Sequence, residues 1–122
     1  MSKRILVVDD QPDLRLLIRL SLRQLGEVSQ AGSAEQALAM IARELPDLLI
    51  LDIWLGHGKS GIDLCRELRA DPATRGLCIV LLSANGQQSD IDAGLAAGAD
   101  DYVVKPFSPE GLVAAATRLL AR

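Results

Sequence analysis

The stretch Asp47-Leu48-Leu49-Ile50-Leu51-Asp52 decides how the chain folds. Its four consecutive aliphatic residues lack the alternation of a strand with one wet face. They suit a strand buried on both faces, as in a parallel sheet covered by helices. The run ends on a carboxylate, Asp52, and a glycine-rich loop follows, Ile53-Trp54-Leu55-Gly56-His57-Gly58-Lys59-Ser60-Gly61. A charge placed where a central strand leaves the core is costly unless something there uses it. In open α/β sheets ligands bind at that carboxyl edge, so other polar residues of interest are expected at the ends of other strands.

On the N-terminal side, Ile5 to Val8 form a short buried strand ending on Asp9-Asp10. Pro12 suits the first turn of a helix, capped by the Asp or Gln before it. That helix carries an apolar stripe of Leu14, Leu17, Ile18, Leu22 and Leu25, with Arg15, Arg19 and Arg23 on the far side. Leu16 and Leu20 fall off the stripe and are expected to be exposed beside the acidic pair. Gly26 is expected to stop the helix, and Val28 to Ala31 to form an edge strand. Ser33-Ala34-Glu35-Gln36 resembles a capping box opening a second helix with Ala37, Leu38, Ile41 and Leu45 inward, ended by Pro46.

On the C-terminal side, Ile62, Cys65 and Leu68 recur at helical spacing until Asp71-Pro72. Leu77 to Leu82 is a second two-sided apolar strand, ending on Ser83. A weak helix from about Ser89 to Ala97 follows, with Gly94 inside it and a stripe of little more than Ile91 and Leu95. Tyr102 to Val104 is the last strand, ending on Lys105-Pro106. Ser108-Pro109 opens a final helix with Leu112, Val113, Ala116, Leu119 and Leu120 inward. Five β-α repeats with short connections and right-handed crossovers require a parallel sheet with helices on both faces, read as one domain over residues 1–122.

Composition narrows the function. Nearly half the residues are apolar, yet only Trp54, Tyr102 and Phe107 are aromatic, so the core is built from aliphatic side chains. A net charge of −3 with no basic tract argues against a nucleic-acid surface. Cys65 and Cys78 stand at no metal-ligand spacing and read as buried thiols of a reducing compartment. No segment has the length of a signal-peptide core or a membrane span, so a soluble, cytoplasmic chain is expected. His57, a lone loop histidine among glycines, reads as solvated.

The residues ending the buried strands are Asp9, Asp10, Asp52, Ser83 and Lys105. Two carboxylates about 6 Å apart repel by about 3 kcal/mol at an effective dielectric near 20, and one lysine offsets only part of this for three anions. A hard divalent cation offsets the rest, and Mg²⁺ suits a site with few protein ligands. Singly, each residue has an ordinary structural explanation: a helix cap, a strand-end hydroxyl, a solvated charge. Five together at strand ends do not.

This set, in this order, resembles the receiver domain of the response regulators of bacterial two-component systems. The matching parts are the acidic pair after the first strand, Asp52 after the third, Ser83-Ala84 after the fourth and Lys105-Pro106 after the fifth, with Tyr102 at the switch-aromatic position. The resemblance implies a flavodoxin-like, doubly wound five-stranded sheet of order 2-1-3-4-5 with five helices. It implies that Asp52 is the nucleophile that takes a phosphoryl group from a partner's phosphohistidine. Mg²⁺ would be bound directly by Asp10 and Asp52, by Asp9 mainly through water, and by the Trp54 carbonyl. Lys105 would neutralise phosphoryl charge, Ser83 would hydrogen-bond the phosphoryl group, and Tyr102 would turn inward behind it. A cis Lys105–Pro106 bond is also implied. The implied partners are a histidine kinase or histidine phosphotransfer protein and a downstream target or output domain, with neither nucleic acid nor membrane bound directly. A phosphorylation-dependent dimer is compatible with this role.

Gln11 follows the acidic pair where another acidic residue is common in the family, and two features of the loop after Asp52 also depart from the family pattern. Gly56 stands where proline is usual, and Gly61 comes one residue later than the usual glycine. Two other readings share parts of the set. An Mg²⁺-dependent phosphohydrolase with an Asp nucleophile characteristically carries a second Asp two residues on, where this chain has Trp54. A receiver-shaped scaffold that does not accept phosphate would not need the complete set.

Overall fold

In the computed structural model, which describes residues 3–56, 58–84 and 88–121, the chain runs β1 (Lys3–Val8), α1 (Pro12–Leu22), β2 (Gly26–Ala31), α2 (Ala34–Arg43), β3 (Leu48–Asp52), α3 (Gly61–Ala70), β4 (Cys78–Ala84), α4 (Gln88–Ala96), β5 (Asp101–Lys105) and α5 (Pro109–Leu120). All strand pairs are parallel and the order is β2-β1-β3-β4-β5. The fold is the expected five-stranded doubly wound sheet with five helices. β2 and β5 are its edges.

The unbroken apolar run of β3 is two alternations laid side by side. Leu49 and Leu51 join Leu6, Val8, Ile79 and Leu81 in a core layer beneath α2 and α3. Leu48 and Ile50 join Ile5, Val7, Val80 and Leu82 in a layer beneath α1 and α5. Successive side chains of a strand point to opposite faces, and here both faces are covered. Each fully buried aliphatic side chain contributes about 1.5–3 kcal/mol, so these three strands anchor the molecule. Cys65 lies in the first layer and Cys78 packs against the second, which explains why both thiols are free.

The polar residues that precede α2, α3 and α5 cap those helices. Ser33, Ser60 and Ser108 accept from the amides of Gln36, Asp63 and Gly111. The box at Ser33 is modified: the Gln36 side chain accepts from Gly32 N rather than from Ser33. Before α1 the capping is shared, with Gln11 in the cap position and Asp9 Oδ1 accepting its amide at 2.9 Å.

Several expectations from periodicity are corrected. Leu17, Leu45 and Leu95 are exposed although each continues an apolar stripe. Leu64, outside the expected stripe of α3, is fully buried. α1 ends at Leu22 and Gly26 opens β2, which extends further back than expected. Ser83 and Ala84 belong to β4 rather than following it. Leu16 and Leu20 are exposed as expected. His57 lies outside the described residues. No helix among the described residues is long and apolar enough to cross a membrane.

Candidate functional site

Strand register builds one rim. Val8 pairs with Leu51, so Asp9 emerges abreast of Asp52, the last residue of β3. Asp52 pairs with Leu82, which puts Ser83 one step beyond, and Ala84 pairs with Lys105. Residues up to 96 positions apart in the chain thereby meet.

Lys105 is the hub. Its Nζ donates to Asp52 Oδ2 at 3.0 Å and to Asp9 Oδ2 at 3.3 Å. Asp9 is fully buried and Asp52 is 4% exposed, so neither carboxylate relies on bulk water. The other oxygens are also placed: Gln11 N donates to Asp9 Oδ1, and Trp54 N donates to Asp52 Oδ1 at 3.3 Å. Asp10 is exposed, and one oxygen from each of Asp9, Asp10 and Asp52 lies within 4.8 Å of the others.

These contacts set the protonation chemistry. Burial pushes the Asp52 carboxyl up to about 6; the Asp9 charge adds to the rise, while Lys105 and the Trp54 amide oppose it. Burial also works against the Lys105 ammonium, but its hydrogen bonds and charge pairing with Asp52 and Asp9 outweigh that and raise its pKa. Three carboxyl groups thus share this rim with the one Lys105 side chain. The arrangement suits a nucleophilic carboxylate beside a hard-cation site.

Ser83 is fully buried at this rim, and its Oγ has no hydrogen-bond partner among the described residues. A buried hydroxyl without a partner costs about 1–3 kcal/mol and calls for an explanation. Tyr102 stands on the edge strand β5 and is exposed. The Lys105–Pro106 bond is cis, as expected.

The loop after β3 accommodates its two departures. Gly56 adopts φ +83°, and a Cβ there would press on Asp10 Oδ2 at 3.0 Å. At Gly61 a Cβ would overlap the backbone carbonyl of Asp52. Gly61 thus lets the start of α3 pack directly on the residue that carries the central carboxylate.

Periodicity and motif did not reveal three contributors. Arg15, expected on the outer side of α1, reaches back to donate to the Asp9 carbonyl at 2.6 Å and to Gln30 Oε1 at 3.2 Å. Asp90 of α4 accepts from Trp54 Nε1 at 3.2 Å. Arg69 joins α3 to the carbonyls of Gly98, Arg75 and Leu77 and to Asp100. An i+4 pattern shows which side of a helix is polar, not which distant group a long side chain reaches.

Comparison with known proteins is consistent throughout. The family model for the response regulator receiver domain matches residues 5–117. The phosphate regulon transcriptional regulatory protein PhoB of Rhizobium meliloti (strain 1021) is 46% identical over 123 residues, covering 100% of this chain and 54% of that protein. The DNA-binding response regulator MtrA of Mycolicibacterium smegmatis is also 46% identical, covering 100% of this chain and 52% of that protein. The chain spans about half the length of these curated relatives. Among solved structures, the beryllofluoride-activated receiver domain of DrrB, a Thermotoga maritima protein, superposes with a TM-score of 0.91 at 34% identity, covering all of both chains.

Proposed function

This chain belongs to the response regulator receiver domain family, and from that premise we propose that Asp52 is a phosphoacceptor. A carboxylate oxygen of Asp52 attacks the phosphorus of a partner's phosphohistidine; the O–P bond forms as the P–N bond breaks, and the electron pair leaves with the imidazole nitrogen. The observation that carries this reading is the Lys105 bridge between Asp52 and Asp9, with the unpartnered Ser83 hydroxyl buried at the same rim. The chain assists its own phosphorylation and dephosphorylation but serves as a signalling module rather than an enzyme acting on an external substrate.

The donor set fits Mg²⁺: clustered hard carboxylate oxygens, in excess over one ammonium. Asp10 and Asp52 would hold it directly, with the Trp54 carbonyl as a further donor. Both oxygens of Asp9 are already engaged by Gln11 N and Lys105, which supports contact through water. When bound, the ion supplies positive charge to the phosphoryl oxygens. Lys105 adds its own charge there from the Asp52 side. Ser83 Oγ donates to a phosphoryl oxygen and thereby gains the partner it lacks. Its inward shift leaves room for Tyr102 to turn in from β5, so a local charge change becomes a change of surface.

The phosphodonor is a histidine kinase or histidine phosphotransfer protein in the cytoplasm, and the altered surface acts on a downstream target, an output domain or a second copy of the chain. The free thiols of Cys65 and Cys78 accord with a reducing compartment. Residues 1–122 act in this reading as one receiver domain. The test is incubation with Mg²⁺ and acetyl phosphate followed by intact mass. The wild-type chain should gain one phosphoryl group and Asp52→Asn should gain none. Equal labelling of both would place the acceptor elsewhere.

A further inference from the structure

The backbone carbonyl of Asp9 falls between two elements, since β1 ends at Val8 and α1 begins at Pro12. A carbonyl there has left the sheet ladder and precedes the helix, so its partner comes from a side chain or from water. Arg15 supplies it. Its Nη1 donates to that carbonyl at 2.6 Å, a short, charge-assisted bond. Nε of the same half-buried guanidinium donates to Gln30 Oε1 of β2 at 3.2 Å, so the fork is held between β2 and the end of β1. Every polar atom of Asp9 is then engaged: its amide donates to the Ala31 carbonyl, and its carboxylate accepts from Gln11 N and Lys105 Nζ.

Asp10 is the contrast. It is exposed, and its carboxylate accepts no hydrogen bond from any of the described residues. Yet one of its oxygens lies within 4.8 Å of an oxygen of Asp9 and of Asp52. With no donor holding the side chain beside two other carboxyl groups, its place is set by its backbone. The peptide group is planar, so the Asp9 carbonyl moves as one unit with the nitrogen and Cα of Asp10. Fixing that carbonyl therefore fixes where the Asp10 side chain starts.

We propose that Arg15 is the positioning residue for Asp10: by tying the Asp9–Asp10 peptide to β2, it holds the exposed carboxylate where a shared divalent cation needs it. This rests on the reading of Asp9, Asp10 and Asp52 as an Mg²⁺ site and deepens it, because the tie prepares the site before the ion arrives. Arg15 acts through the peptide and ligates nothing itself. Its charge alone works the other way, since a cation near the site repels a second one. The two contributions have opposite signs, so the direction of the effect tells which prevails.

The test is Mg²⁺ titration of the wild-type chain, Arg15→Met and Arg15→Lys, followed by amide NMR well below the melting temperature. Arg15→Met keeps an aliphatic stem on α1 but removes the charge and both donors. It should bind Mg²⁺ about tenfold more weakly, the scale on which groups that orient metal ligands act. Arg15→Lys retains one donor and should recover most of that affinity. In the metal-free spectrum the Asp9 carbonyl carbon should move upfield in Arg15→Met, reporting the lost bond. Urea denaturation separates a structural role from a positioning one: a brace that only stabilises the fold lowers the unfolding midpoint and leaves the Mg²⁺ Kd of the folded chain unchanged. Unchanged or tighter binding by Arg15→Met would overturn the proposal, as would Arg15→Lys binding no more tightly than Arg15→Met. A wild-type chain whose amides ignore Mg²⁺ would remove the metal site and the role of Arg15 together. That result is distinct from a wild type that binds Mg²⁺ and variants that bind it equally well, which would remove the role of Arg15 alone.

Discussion

At the scale of single residues, Asp52 is where burial and neighbouring charge compete over one proton. Its carboxyl is raised from 3.8 to about 6 by burial first and by Asp9 second, against Lys105. An acid whose folded pKa is raised binds more protons folded than unfolded between those values, so stability falls as pH rises through that window. The penalty is absent below about 3.8 and complete above about 6; a shift near two units corresponds to about 3 kcal/mol. Asp52→Asn removes the charge at every pH. The variant is expected to be more stable than wild type by about 1–3 kcal/mol at pH 7 without metal, with the gain shrinking to nothing near pH 4. Urea denaturation at several pH values measures this. A gain that is constant with pH would mean that the asparagine stabilises by packing and not by removing a buried charge. Lys105 does not contribute to this window: its raised pKa adds stability that is lost only in the alkaline range.

At the scale of elements, α4 shows why intrinsic preference and tertiary fit are separate matters. Gly94 in a helix costs about 1 kcal/mol against alanine by propensity. The structure gives the compensating reason, since a Cβ at Gly94 would overlap Leu81 of β4. Glycine lets the helix lie close on the strand that carries Ser83. Gly94→Ala should therefore destabilise the chain by about 1–3 kcal/mol, the usual cost of overpacking, despite the propensity gain. A thermal melt decides it, and stabilisation would show that α4 can lift off β4 without loss. α1 presents the opposite case. Leu16, Leu17 and Leu20 are all exposed on the helix that follows Asp9 and Asp10, a broader apolar surface beside the rim than the two leucines expected from periodicity.

At the scale of the whole molecule, the rim is assembled by the sheet and is absent from the unfolded chain. A ligand that binds only the folded state stabilises by mass action, about 2.7 kcal/mol at a hundredfold excess over Kd. Mg²⁺ is therefore expected to raise the melting temperature by several degrees at saturating concentration. Asp10→Asn should abolish that rise. Its metal-free form should be at least as stable as wild type, because one of three crowded carboxylates has been neutralised. The rise should also weaken below about pH 6, where protons compete for Asp52. Identical melts in Mg²⁺ and EDTA would remove the metal from the proposed site.

What the sequence determined by itself was the order of elements, the parallel sheet and the identity of the rim. Two-sided strands such as Leu48–Leu51 can be satisfied only between two helical layers, and a polar residue that ends such a strand must emerge at the same edge as the others. Tertiary structure alone decided which leucines those layers cover. A stripe at helical spacing marks a face, but Leu17, Leu45 and Leu95 stay roughly half exposed, while Leu64 is fully buried in the layer beneath α2 and α3. It alone also decided the long-range polar contacts: Lys105 between Asp9 and Asp52, Arg15 on the Asp9 carbonyl, Trp54 on Asp90. The physical reason is common to them. Burial on both sides of a strand is a local property of hydrophobic pattern, whereas a hydrogen bond between distant residues depends on register and helix placement, which exist only once the sheet has formed.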